Sequence, residues 1–265
     1  MLIVGERVNA TRKFIGEAIV KRDREFIIKE VVEQEKAGAS MIDVNAGKSP
    51  EKEIEDMKWL IEVVQTATNL PLCIDSANPK AIEVALKLNK NGKPLVNSVT
   101  DEEKKIKEVL PLVKEYDASI VALTIDEKGV PENVERRKEI ANNLVNKILN
   151  FGIKIEDIYV DPCIFPISTN TMNALYSIET IKWIKANFPG IKTIIGLSNI
   201  SYGLPLRSLI NQAFVVLCMY SGLDAALIDP LDKKMVSLIY ATDSLLNKDE
   251  YCMNYITAAK EGKLI

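Results

Sequence analysis

Short apolar runs recur along the whole chain, and each closes on polar residues before a helical stretch begins. Leu2-Ile-Val runs into Glu6-Arg7-Val8-Asn9, and Met41-Ile-Asp-Val-Asn45 is closed by Ala46-Gly47. Leu72-Cys-Ile ends at Asp75-Ser76, and Pro94-Leu-Val leads into Asn97-Ser98. The second half repeats the scheme: Ser119 to Leu123 ends at Thr124, Ile158-Tyr-Val at Asp161-Pro162, Thr193-Ile-Ile at Gly196, and Asp224 to Ile228 at Asp229-Pro230. Short runs of this kind read as strands buried on both faces. Between them the helical period predicts helices over 25–37, 50–67, 79–88, 133–150, 178–186 and 208–219, with a last one running to about Leu246. Pro79 stands where a helix-opening proline belongs, and Asp101-Glu-Glu predicts a further helix whose acidic first turn suits its dipole. Arg12 and Lys13 fall in the loop after the first strand, and the tail from Asp249 is predicted to lie across the barrel.

Eight strand-then-helix units without linkers or low-complexity stretches predict a closed (β/α)8 TIM barrel, with residues 1–265 forming one domain. A doubly wound sheet is the runner-up, but no GxGxxG follows any of the strands. In a barrel the C-terminal ends of all strands surround one mouth. Glu6, Asn9, Asp43, Asn45, Asp75, Asn97, Asp161, Ser198, Asn199 and Asp229 are therefore expected to gather there, although the sequence scatters them. Some of them would cap helices, but capping does not require so many. The stretch from Gly196 to Arg207 stands out, because a strand ending in Gly-Leu-Ser-Asn turns tightly and points short polar side chains into a cavity.

At 265 residues, with 47% hydrophobic and 27% charged residues, the chain has the composition of a folded globular protein. A net charge of −3, with lysines interspersed among glutamates, gives no nucleic-acid surface. No apolar run approaches the roughly 18 residues that span a bilayer. The N-terminus runs straight into a strand, so no signal peptide is expected and a cytoplasmic location is. Cys73, Cys163, Cys218 and Cys252 show no zinc-site spacing and are expected to be buried thiols. Histidine is absent altogether. That removes imidazole bases, Ser-His and Cys-His pairs and histidine metal sites, so chemistry falls to carboxylates, amides, hydroxyls, Lys, Arg or a borrowed cofactor.

Carboxylates accept paired hydrogen bonds from guanidine-like edges, and amides both donate and accept. A pterin's 2-amino-4-oxopyrimidine edge fits that set, with Asp161 facing its N–H and exocyclic amine and Asn97 and Asp75 serving other ring nitrogens. A divalent metal held by the same carboxylates is the rival, although the interspersed Asn and Ser dilute the charge a hard cation requires. No resident metal is expected.

The motifs Gly-Glu-Arg-Val-Asn (5–9), Asp-Val-Asn-Ala-Gly (43–47), Leu-Cys-Ile-Asp-Ser (72–76), Asn97-Ser98, Asp161-Pro162 and Gly-Leu-Ser-Asn (196–199) follow in order over essentially the whole chain. Together they resemble the pterin-binding methyltransferases. The nearest type is the methyltetrahydrofolate:corrinoid/iron–sulfur protein methyltransferases, and the folate domain of cobalamin-dependent methionine synthase is a relative. The resemblance implies a dihydropteroate synthase-like TIM barrel, usually a homodimer, that binds methyltetrahydrofolate at its mouth. By position, Asp75, Asn97 and Asp161 would hold the pterin, Gly196 and Ser198 would line it, Asn199 would sit by N5 as the catalytic residue, and Arg207 would also contact substrate. The implied reaction moves the N5-methyl group to the cobalt(I) of a corrinoid iron–sulfur protein, in the acetyl-CoA pathway of anaerobic carbon fixation. The cobalamin-type corrinoid is thus carried by a partner, and N5 is activated by hydrogen bonding or protonation. Segment 202–206 varies among such proteins, and the chain has neither the homocysteine nor the cobalamin module of methionine synthase. Dihydropteroate synthase activity is disfavoured, because Ser-Asn-Ile-Ser replaces the Ser-Arg-Lys segment and the late Arg-x-His is missing. Two alternatives stay open: transfer from a methylcorrinoid protein to tetrahydrofolate, as in methylamine or betaine catabolism, and a non-catalytic pterin-binding barrel.

Overall fold

A computed structural model describes residues 1–265. Eight parallel strands close in sequence order: β1 (Leu2–Gly5), β2 (Met41–Val44), β3 (Leu72–Asp75), β4 (Leu95–Asp101), β5 (Ser119–Asp126), β6 (Ile158–Asp161), β7 (Lys192–Gly196) and β8 (Ala225–Ile228). β8 pairs with β1 from Leu2↔Ala225 to Gly5↔Ile228, which closes the ring. Around it stand α1 (Lys13–Lys21), α2 (Arg24–Lys36), α3 (Glu53–Val64), α4 (Pro79–Leu88), α5 (Glu103–Glu115), α6 (Val134–Asn150), α7 (Asn173–Asn187), α8 (Arg207–Tyr220) and α9 (Lys233–Leu245), with α10 (Met253–Lys260) in the tail. The expected (β/α)8 barrel is therefore what forms.

The period-2 alternation of the strands decides what fills the barrel and what faces its mouth. Val4, Met41, Cys73, Leu95, Val121, Tyr159, Ile194 and Ala225, one from each strand, form a single buried cluster that plugs the interior. Two residues further along each strand come Glu6, Asp43, Asp75, Asn97, Leu123, Asp161, Gly196 and Leu227, and all eight line one cavity. The outward faces pack on the helices in a larger core that includes Ile42, Ile74, Val96, Ile120 and Val160.

Local chemistry places the helices. Asp23, Asn78, Asn133 and Asp232 each accept a hydrogen bond from a backbone N–H in the helix they precede, as N-caps do. α1 was not anticipated, and it removes Lys13 from the loop. Its weak signal follows from Gly16, a poor helix former kept for close packing: a Cβ there would lie 2.6 Å from the Ala10 carbonyl oxygen. The helix expected at Asp101 begins at Glu103 instead, because β4 continues. Val99 and Asp101 still pair with β5, and buried Asp101 accepts a hydrogen bond from Lys147 Nζ at 2.8 Å.

The tail forms a short turn and α10. Residues of α10 share a cavity of about 430 Å³ with Met1 and Ile3, at the end opposite the mouth. Three of the cysteines are buried as expected, but Cys252 is exposed, since its turn lies outside the core. No helix is long and apolar enough to cross a membrane.

Candidate active site at the barrel mouth

The cavity at the C-terminal ends of the strands has a volume of about 1020 Å³. Asp75, Asn97, Asp161, Gly196, Ser198, Asn199 and Arg207, separated by up to 132 positions in sequence (207 − 75), all line it. Glu6, Asn9 and Asp43 line it too. Two residues expected there do not. Asn45 is engaged with the wall instead, donating from Nδ2 to Asp75 Oδ2 at 2.9 Å. Asp229 accepts from Arg7 Nη1 at 2.9 Å and Arg12 Nη2 at 3.3 Å, and it faces a side lobe instead.

The floor is a ring of carboxylates with few counter-charges. Asp43 is buried, and neither of its oxygens meets a nitrogen or oxygen donor. Burial holds its carboxyl well above the usual range, the neighbouring Asp75 and Glu6 add repulsion, and only the weakly donating Cys73 thiol offsets this. Burial raises the Asp75 pKa as well, against the stabilising amide of Asn45. Asp161 is pushed up to about 7 by burial, although the N–H groups of Cys163 and Gly196 and the charge of Arg137 favour its ionised form. Its Oδ1 accepts from Cys163 N at 2.7 Å. Arg137 on α6 is fully buried and donates from Nη1 to the carbonyls of Pro162 and Cys163, both at 2.7 Å, which pins the turn that carries Asp161.

The Gly196–Arg207 stretch is built around main chain. Leu197–Ser201 is a short 3-10 turn, and Asn199 caps neither it nor α8, whose N-cap position is Leu206. The Asn199 side chain is exposed to the cavity with no hydrogen-bond partner within the protein. A Cβ on Gly196 would sit 3.1 Å from Asn199 Nδ2, so glycine leaves that amide its room. Arg207 braces the turn: Nη2 donates to the Ser198 carbonyl at 2.6 Å and Nε to Ser201 Oγ at 3.0 Å. Its guanidinium also lies 5.9 Å from the Tyr202 ring centre.

Sequence reading missed Leu123 and Leu227, which complete the ring on β5 and β8, and Phe165, Tyr202, Asn211 and Asp232 from the loops and α8. Counting two positions on from each plug residue finds the first pair; nothing in the local sequence marks the others. No three carboxylates or cysteines converge in a metal-ligand arrangement.

A closed barrel whose strand ends present carboxylates and amides to one large cavity defines a TIM-barrel enzyme with a polar small-molecule site. The chain belongs to the pterin-binding family: the model described as "Pterin binding enzyme" matches residues 5–229. It is 39% identical to methylcorrinoid:tetrahydrofolate methyltransferase of Eubacterium limosum, over 100% of this chain and 98% of that protein. It is 32% identical to methionine synthase of Mycobacterium tuberculosis over 86% of this chain, which corresponds to 20% of that longer protein. In fold it is similar to dihydropteroate synthase from Xanthomonas albilineans in complex with 7,8-dihydropteroate, with a TM-score of 0.72 at 16% identity and 92% coverage of each chain.

Proposed function

We propose that this protein transfers a methyl group between the cobalt of a corrinoid carried by a partner protein and N5 of tetrahydrofolate, running from methylcorrinoid to tetrahydrofolate. That direction reverses the one implied by the motif resemblance. It is supported by the E. limosum protein, which matches end to end and is named for it. The site itself suits either direction.

The observation that carries the reading is the set of buried acceptors on the floor. Asp43, Asp75 and Asp161 offer more carboxylate oxygens than the protein supplies donors for, so the site fits a ligand that brings several N–H groups. A pterin edge is such a ligand. Asp161 takes the ring N–H and the exocyclic amine, with Asn97 and Asp75 on the remaining polar atoms. Gly196 and Ser198 line the ring, and Asn199 faces N5. Arg207, with Nε and Nη2 committed to Ser201 and Ser198, acts by holding Asn199 in place.

The reaction needs no protein nucleophile. The N5 lone pair attacks the methyl carbon, the cobalt–carbon electron pair stays on cobalt, and N5 releases its proton. The methyl-bearing corrinoid is a substrate delivered to the mouth. Asn199 contributes by hydrogen bonding at N5 as its charge changes, and the barrel contributes by fixing the ring beneath the incoming methyl.

The partner docks over the loops at the C-terminal ends, where Tyr202 lines the opening and Phe14 and Leu206, each within two residues of lining Arg12 or Arg207, are exposed. The homodimer forms through the outer face of α8, where Leu209, Leu217 and Tyr220 are exposed at helical spacing, 61%, 52% and 72% respectively. Mixing the protein with methylcobalamin and tetrahydrofolate and following the cobalt spectrum tests the activity. Conversion to cobalt(I) that depends on tetrahydrofolate and is lost in Asp161→Ala supports it. Tight pterin binding without any spectral change would leave a binding barrel in its place.

A further inference from the structure

Methylation of N5 releases a proton, and the residue facing N5 in the proposed reaction, Asn199, carries an amide that cannot hold one. The cavity offers five carboxylates: Glu6, Asp43, Asp75, Asp161 and Asp232. Asp75 and Asp161 are engaged by Asn45 Nδ2 and Cys163 N, and both belong to the pterin edge in the reading above. Asp43 sits on the floor with no second opening. Asp232 is fixed as the N-cap of α9, accepting from Met235 N at 3.1 Å and from Gln212 Nε2 at 3.1 Å. Glu6 has no hydrogen-bond donor among the protein's side chains, and no other task in the site.

Glu6 also stands at a junction. Besides the main cavity it lines a side lobe of about 60 Å³, together with Ser198, Asn211, Asp229 and Asp232. Ser198, Asn211 and Asp232 line both spaces as well, so the lobe opens onto the cavity directly beside the turn that carries Asn199. The lobe has room for ordered water. Asn211, which lines both spaces, also carries a buried Oδ1 with no hydrogen-bond partner in the protein.

Resting on the methyl-transfer reading, we propose that Glu6 takes the proton that N5 loses on methylation and passes it to solvent through the water-holding side lobe past Asn211. In the balance of the step, the N5–H pair becomes the N5 lone pair, the Glu6 carboxylate becomes a carboxylic acid, and that proton leaves through the lobe. The environment suits the task. Burial raises Glu6 to about 7, Arg12 and Arg207 draw it down, and Asp229 pushes it up. The Glu6 charge in turn helps to raise Asp43, and Asp232 adds a further carboxylate to the lining of the lobe. A proton acceptor works best with a pKa near the working pH.

Glu6→Gln is isosteric and keeps a polar group at the junction. Rates of methyl transfer from free methylcobalamin to tetrahydrofolate are measured from about pH 5 to about pH 9, with tetrahydrofolate affinity determined by calorimetry on the same samples. Wild type is expected to lose rate as pH falls through about 7. Glu6→Gln is expected to lose that inflection and about 10²–10⁴-fold in rate, with affinity within about twofold. Asp161→Asn, run alongside, should weaken binding and keep the inflection. Asn211→Leu, which fills the lobe without touching Glu6 chemistry, should slow transfer and keep affinity, and it stands in should Glu6→Gln not fold. An inflection that survives in Glu6→Gln, or that disappears only in Asp161→Asn, overturns the assignment. Full transfer by Asn211→Leu overturns the lobe as the route. Failure of wild type to transfer methyl at all defeats the methyl-transfer reading instead.

Discussion

Replacing Asn199 with alanine separates its chemistry from any structural role. Its side chain caps neither adjoining helix, has no hydrogen-bond partner in the protein and is exposed to the cavity. Truncation therefore leaves no buried group unpaired and creates no core void, which places the stability change within about 0.5 kcal/mol. The kinetic effect is expected to be far larger. An amide that bonds N5 more strongly in the transition state than in either ground state acts as one preorganised polar contact. Losing such a contact costs about 10²–10³ in rate, or roughly 2.7–4 kcal/mol. Single-turnover transfer from methylcobalamin to tetrahydrofolate, with thermal melting on the same preparation, reads both quantities. A rate within a few-fold of wild type would refute the role of Asn199, and a large drop in melting temperature would refute the claim that it holds nothing together.

Gly196→Ala places a methyl group 3.1 Å from Asn199 Nδ2. It should lower kcat by about tenfold or more with little change in melting temperature, whereas an unchanged kcat would show that Asn199 has freedom to move aside. The unliganded protein should melt at progressively lower temperature as pH rises from about 4 to about 7. Asp161, ordinarily near 3.8, is raised to about 7 in the folded chain, so the folded state holds more protons across that window and loses stability as they leave. Asp161→Asn should flatten the slope, and an equally steep slope in that variant would point to other groups. Leu217→Glu, on the exposed face of α8, should yield monomers in analytical ultracentrifugation without slowing transfer from free methylcobalamin. A monomeric wild type would remove that face as the dimer contact.

The barrel was legible because each strand is an apolar run too short for a helix and most end on polar residues, as at Asp75-Ser76 and Asn97-Ser98. The floor of the site was legible for a related reason. In a strand the residue two places beyond a plug position must face the same way, so Cys73 predicts Asp75 and Tyr159 predicts Asp161. That rule does not cover Asn45, which is two places beyond Asp43 but past the end of β2, where its side chain donates to Asp75 and accepts from Gly47 N instead of lining the cavity. Asp229 failed for another reason: the two arginines Arg7 and Arg12 draw it out of the cavity, and no spacing reveals a contact across 222 residues. The bracing contacts of Arg207 were hidden similarly. No spacing reveals that its Nε and Nη2 meet the Ser201 hydroxyl and the Ser198 carbonyl while the residue still lines the cavity.

The unsatisfied floor of carboxylates has a consequence for how long the protein persists. Asp43, Asp75 and Asp161 are held in conditions that favour neither full charge nor full pairing, so the empty barrel is its own least stable form. A ligand that supplies the missing N–H groups stabilises the fold by mass action, by about 2.7 kcal/mol at a concentration one hundred times its Kd. Differences of that size change steady-state abundance several-fold where unfolded chains are degraded. The half-life of this protein in a cell should therefore follow the folate pool: starved of its substrate the protein would be removed, and resupplied it would accumulate with no change in its synthesis.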